Sequence, residues 1–382
     1  MRVGISCVCA TLCLASAAAA AGTATLQTPS FTSFELRPLA ASPGNVVATG
    51  INRYGDVIGS SDGNPFAYYH RNGTVVQLGG ATGTLSAWGI NDREQIAGEQ
   101  VDVNGVFPIE WTATGGVVTL PTETLGMANS VGNNGDVGGN IDNGHQDNLA
   151  VRWVGSTHQE DIIGVLWEPP DLPGSGTSST IAINNLGHVT GVSDAGKGTD
   201  PNTAVAYGVH AFLYTAPGKN RDLGALALSG NGSDDSEGDG VNDLDEVVGT
   251  STTAIPARTS SNQPCSNCGV ASHAFLWSTG KMKDLGNLAG IPGWNSKADS
   301  INNCGEIVGW SDSVVSGTST QRAFLYVDGK MLNLQFYVYD RDPDVRLTEA
   351  VGINLEGWIV ANGFNVKSPS VNRAYLLIPR TN

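Results

Sequence analysis

Basic side chains, histidine and methionine are all scarce in this chain of 382 residues, and each shortage excludes something. Only 20 lysines and arginines stand against 36 aspartates and glutamates, a formal net charge of −16 at pH 7. A surface that acidic repels phosphate backbones and anionic lipid, so nucleic acid and anionic membranes are poor partners, and neither nucleic-acid binding nor membrane insertion is expected. Cationic ligands, neutral glycans and metal ions remain open. Charged residues make up only 15% of the chain, and runs built from Ala, Leu, Glu and Lys are missing beyond the N-terminus, which excludes a helical bundle or coiled coil. There is no GxSxG elbow, HExxH pair, phosphate loop or dinucleotide fingerprint. The 6 histidines are scattered, so no residue set marks a catalytic centre. No apolar run beyond the first 21 residues reaches the length of a membrane span.

Glycine is abundant instead (50 residues), together with Val, Thr, Ser and Asn, and hydrophobic residues at 40% suffice for a sizeable core. Residues 1–21 read as a secretory leader: Met1-Arg2, then an apolar run ending in Ala17-Ala18-Ala19-Ala20-Ala21 before Gly22. Leu12 before Cys13 argues against lipidation. Residues 22–29 read as a short linker and 30–379 as one domain. The mature chain is expected to be secreted (extracellular or periplasmic), soluble and monomeric. Of the 6 cysteines, Cys265, Cys268 and Cys304 lie past the leader. No second pair exists to complete a zinc site, so a local Cys265–Cys268 disulfide is the expectation, with a redox CxxC as the alternative.

A repeat organises the domain. The segment Ser300-Ile301-Asn302-Asn303-Cys304-Gly305-Glu306-Ile307-Val308-Gly309 recurs in weaker forms. Its apolar residue is Ile51, Ile90, Val131, Ile183, Val241, Ile301 and Ile353, followed by Asn except at Gly132. Its closing residue is Gly59, Gly98, Gly139, Gly191, Gly249 and Gly309, with Ala361 last. A short aromatic strand follows, such as His273-Ala274-Phe275-Leu276-Trp277, then a turn and a strand ending at Leu78, Leu120, Ile162, Leu223, Leu285 or Leu334. Four short strands per unit is the pattern of a propeller blade. The Asn is read as a turn-bonding, structural residue. The seventh copy lacks a fourth strand, and the segment from Phe34 to Gly44 looks like the one from Asp284 to Gly293. The sequence therefore predicts an all-β, seven-bladed β-propeller whose last blade is completed by an N-terminal strand.

The run from His273 to Trp277, with Gly280-Lys281-Met282-Lys283-Asp284-Leu285-Gly286 and the Asn-Gly-Glu-Ile-Val-Gly-like hairpins, resembles the HAF family of bacterial extracellular repeat proteins. The similarity spans about residues 30–379 and is clearest in copies four to six. It implies export and a repeat fold, and carries no activity or catalytic residue to transfer.

Length varies between second and third strands and between blades, so the insertions decorate one face. Those loops carry Trp167, Trp294, Trp310, Phe336, Tyr337, Tyr339 and Asp340, a set suited to stacking on sugars or packing on a protein. Trp111, Trp153 and Trp277, on third strands, belong between blades. Cys304, in a short turn on the opposite face, is expected to keep its thiol. Residues 235–246 match a calcium loop, with Asp235, Glu237, Asp239 and Asp243 as candidate ligands. The same stretch aligns without gaps on the repeat, which makes Glu246 the ordinary hairpin glutamate, like Glu306. No cofactor is required; calcium is the one ion suggested. The leading functional reading is a non-catalytic module binding a glycan or protein on the loop-rich face. The alternatives are a glycan-active hydrolase or lyase using Asp or Glu there, and a structural envelope component.

Overall fold

The computed structural model describes residues 32–39, 44–70, 72–79, 83–142, 148–167, 176–195, 208–227, 234–259, 261, 263, 265, 269–315 and 318–380. The leader and Cys268 lie outside them.

The described strands form seven four-stranded antiparallel sheets, the blades of a propeller. Six blades use consecutive strands; the seventh joins Ser33–Pro38 to the last three strands of the chain. Ser33 stands opposite Arg380 and Pro38 opposite Tyr375, so the N-terminal strand is the outer strand of the last blade, as expected. The closure repeats a detail of the other blades. Leu39 N–H donates to Ala374 O at 2.9 Å, just as Leu285 N–H does to Ala274 O and Leu223 N–H to Ala211 O. Leu39 is buried against blade 1, as Leu285 is against blade 6.

The core lies between blades, in seven apolar clusters, one for each contact between neighbours. Third strands are covered on both sides, and so carry apolar residues on both faces: Val209–Tyr214 is buried at all but its first position. Trp111, Trp153 and Trp277 sit in these clusters. In blade 3 the buried residue after the fourth strand is Ile163, while Ile162 is 56% exposed, so the expected register there is corrected by one. In copies four and five the repeat histidines, His210 and His273, bond the outer-strand carboxylates Asp222 and Asp284 at 2.8 and 2.9 Å.

The recurring asparagine does two jobs. Asn302 Oδ1 accepts from Cys304 N–H and Glu306 N–H, shaping its own turn. Its Nδ2 reaches the next blade and donates to Asn354 O at 3.0 Å. The same link runs from Asn52 to Asn91, Asn91 to Gly132, Asn184 to Asn242, Asn242 to Asn302 and Asn354 back to Asn52. Gly132, lacking a side chain, is where this link is interrupted. The short-turn face is thus stitched around the ring by buried amides.

Each first strand also bulges at one equivalent position. The register with the second strand skips Thr49, Trp88, Asn129, Ile181, Asp239, Asp299 and Val351. The bulge explains the closing glycine. A Cβ on Gly309 would lie 2.1 Å from Lys297 O, and one on Gly249 1.9 Å from Glu237 O. Blade 7, which carries Ala361 there, has a second skip in its first strand between Leu347 and Glu349, and Gly363 takes the close approach instead.

Candidate functional site: the central channel

First strands face the ring's axis, and two cavities lie along it. On the short-turn face, a cavity of about 370 Å³ is lined by the repeat asparagines. Towards the loop-rich face, a second of about 560 Å³ is lined by all seven bulged residues. The two share the apolar ring Ile51, Ile90, Val131, Ile183, Val241, Ile301 and Ile353.

The bulge makes the larger cavity chemically distinctive. A bulged residue has no partner in the ladder, so its side chain is set by the channel rather than by strand pairing. On either side of it the strands keep small residues: Ala298 and Ser300, Ala87 and Gly89, Ala128 and Ser130. At the bulge itself the residue changes from blade to blade, through Thr, Trp, Asn, Ile, Asp, Asp and Val. Thr49 Oγ1 and Asn129 Nδ2 donate to the next blade, to Ala87 O at 2.8 Å and Thr180 O at 2.6 Å. Trp88 is 41% exposed.

On the other side stand blades 5 to 7. Lys297 Nζ lies 2.7 Å from Asp239 Oδ1, 3.2 Å from Glu237 Oε1 and 4.0 Å from Asp299 Oδ1. The Asp239 and Asp299 side chains are only 7% and 15% exposed, and the Oδ2 atom of each is buried without a hydrogen-bond partner. Burial holds the Asp239 carboxyl well above the usual carboxylate range, with Glu237 and Asp299 adding to it against the pull of Lys297. Burial likewise raises Asp299, reinforced by Glu349, and raises Glu349 itself. Glu237 resists its burial: a hydrogen bond from Asp239 and the Lys297 charge keep it below its ordinary value. Burial disfavours the charged form of Lys297, but Asp239 and Glu237 outweigh that and raise it. The channel therefore sets raised carboxyls beside a lowered one around a single ammonium.

The residues singled out from the sequence are dispersed. Trp294 is 3% exposed, turned into the fold because its link doubles back under Asn287, whose Nδ2 bonds Ile291 O and Trp294 O. Trp310 is in a strand rather than a loop, opposite Lys297 and Ala323, because the inserted residues extend the hairpin Ile307–Val315/Thr318–Val327. Tyr337 and Tyr339 clasp the closing strand through Phe34 N–H to Tyr337 O and Tyr339 N–H to Phe34 O. Arg380 lies 3.7 Å over the Tyr339 ring. Asp340 is exposed at a turn with φ +48°. Trp167 is half-buried, its N–H bonded to Asp194 O.

The four acidic candidates for calcium do not converge. Asp243 is at the short-turn end, bonded to Asn185 and Asn303, while Asp239 belongs to the channel and Asp235 Oδ1 accepts from Val209 N–H. Among the described residues no group of three or more His, Cys, Asp or Glu is placed to hold a metal ion. Cys265 is disulfide-bonded, and Cys304 carries a thiol on the asparagine face. Among the described residues no helix is long and apolar enough to cross a membrane.

The sequence does not single out the acidic centre: Asp239 falls in the candidate calcium loop, and Lys297, Asp299 and Glu349 fall in the variable links between blades, where the structure has first strands. A signal was present: these are the charged residues just before the repeat's apolar position.

No described protein family and no curated protein matches the chain. Among solved structures it is similar to β-propellers. The β-propeller domain of the Trilobed protease from Pyrococcus furiosus aligns over 88% of this chain and 99% of its own length, with TM-score 0.53 and 7% identity. Streptogramin B lyase aligns over 91% and 99%, with TM-score 0.52 and 12% identity. The WD40 repeats of RRP9 align over 93% and 100%, with TM-score 0.50 and 10% identity. Such low identities carry the fold alone.

Proposed function

We propose that the chain is an exported repeat propeller of the HAF type that binds a glycan in its central channel, entered from the loop-rich face. One observation carries this reading. The seven bulge positions break the repeat's uniformity and line a cavity of about 560 Å³ with Trp88, Thr49, Asn129, Asp239 and Asp299. That volume suits a small ligand rather than a protein domain. A tryptophan face opposite carboxyl and amide groups is the chemistry that holds a sugar ring. The loop aromatics support it less, because Trp294, Tyr337 and Tyr339 are engaged in packing and closure. A glycan array probed with the mature chain and with Trp88→Ala checks this: the variant should lose roughly 10-fold or more in affinity, about 1.4 kcal/mol. Binding that survives Trp88→Ala but is abolished by Phe336→Ala would place the site on the loops.

A glycan-active hydrolase or lyase is the second reading. It is favoured by Asp239 and Asp299 being raised above the usual carboxylate range beside a Glu237 held below its own, a division suited to acid and base roles. Cleavage of an array-positive glycan, lost in both Glu237→Gln and Asp299→Asn, would promote it over simple binding.

A further inference from the structure

We infer that Asp239 and Asp299 form a subsite for a primary ammonium group carried on a sugar ring, so that the ligand is an amino sugar with its amine free. This rests on the channel being the ligand site. The subsite has two carboxyl groups on neighbouring blades, both lining the cavity, each with a buried Oδ2 that no described residue satisfies. A buried acceptor without a donor is costly. At the same bulge position Thr49 and Asn129 solve the problem by donating to the next blade's carbonyl. Asp239 and Asp299 make no such bond, and in the ionised form that a bound cation favours they can only accept, so their donor must come from outside.

Lys297 shows which donor fits. Its ammonium lies 2.7, 3.2 and 4.0 Å from one oxygen of each of Asp239, Glu237 and Asp299, and Lys297 is not among the residues that line the cavity. Its single charge serves four carboxyl groups once Glu349 is counted, so ionising Asp239 and Asp299 leaves the cluster short of positive charge. Among the described residues no lysine, arginine or histidine lines that cavity. An ammonium needs a few oxygen acceptors within hydrogen-bond reach, whereas calcium needs six to eight oxygens. Trp88, 41% exposed in the same cavity, offers its face to the ring that carries the amine. The net charge of −16 draws such a cation in.

The titratable groups facing the pair are Glu237 and Lys297 on the two strands concerned and Glu349 on the first strand of blade 7. A bound cation favours the ionised forms of Asp239 and Asp299, so binding releases protons. Affinity rises as pH climbs from the acid side until both have ionised, and falls once the ligand's own amine deprotonates.

Calorimetry with a β-linked glucosamine tetramer and its fully N-acetylated counterpart, in buffers of different ionisation enthalpy, tests the subsite. The free-amine tetramer should bind at least roughly 10-fold tighter, about 1.4 kcal/mol, with net proton release. Asp299→Asn, and separately Asp239→Asn, should erase that preference and the proton release while leaving the N-acetylated tetramer bound; thermal melts confirm that each variant is folded. Equal affinity for the two tetramers overturns the subsite while the channel reading survives, provided Trp88→Ala still weakens both. A preference that persists in both Asn variants also overturns it. So does calcium alone, if it causes the same proton release and displaces the tetramer. Silence towards both tetramers overturns the subsite, and only silence across the whole array overturns the channel.

Discussion

Asp299 is a residue whose position costs stability, and the cost has a pH signature. Its folded-state carboxyl is raised above the unfolded value, so its favourable contribution is present in acid and is lost as pH rises through the folded value. Asp299→Asn should therefore raise Tm at pH 7 by a few degrees, about 1 kcal/mol, with the gap closing towards pH 4 in a pH series of thermal melts. A gap independent of pH would show that the carboxyl ionises freely. Gly309→Ala should behave oppositely: its Cβ meets Lys297 O at 2.1 Å, a backbone atom held by the bulge, and the clash should cost about 1–3 kcal/mol by chemical denaturation. Asn302→Ala removes the turn's acceptor and the link to Asn354, and should cost about 1–3 kcal/mol. The repeat glycine and asparagine were legible in the sequence because each recurs in six of the seven blades. The partners of Asp239 were not, because Lys297 and Asp299 are on a different blade.

At the scale of the element, the N-terminal strand decides whether the ring is closed. Phe34 is 1% exposed, packed into the cluster between blades 6 and 7 and bonded on its free edge to Tyr337 and Tyr339. Phe34→Ala should cost about 3–5 kcal/mol, and Tyr339→Ala much less, because that residue is 55% exposed. Denaturant midpoints for the two variants give the comparison; equal losses would mean the clasp matters as much as the strand. Segments without a repeat to guide them were read less well. The insertion at residues 310–321 continues a hairpin, with Asp312 opposite Gln321 and Val314 opposite Ser319, since its Val, Ser and Thr residues alternate as strands do. The link holding Trp294 folds inward because the half-buried Asn287 gathers it.

For the whole molecule, closure by pairing rather than by a covalent joint makes the chain's ends interchangeable. Ser33 lies opposite Arg380, so a permuted chain beginning at residue 44, with residues 32–43 joined after Arg380 by a short turn, should fold to the same blades. Its Tm should fall within a few degrees of the parent, and failure to fold would mean that the N-terminal strand must form first. What the amino-acid order determined unaided is the sevenfold repeat, its hairpins, its interblade tryptophans and its closing strand. Each blade states the same local rules, and seven statements outvote the worn ones. What only the tertiary structure decided is the channel. A bulge is a skip in backbone pairing that no residue type announces. It took the ring to bring Trp88, Asp239 and Asp299 around one cavity, from blades far apart along the chain, and burial there to raise the two carboxyls.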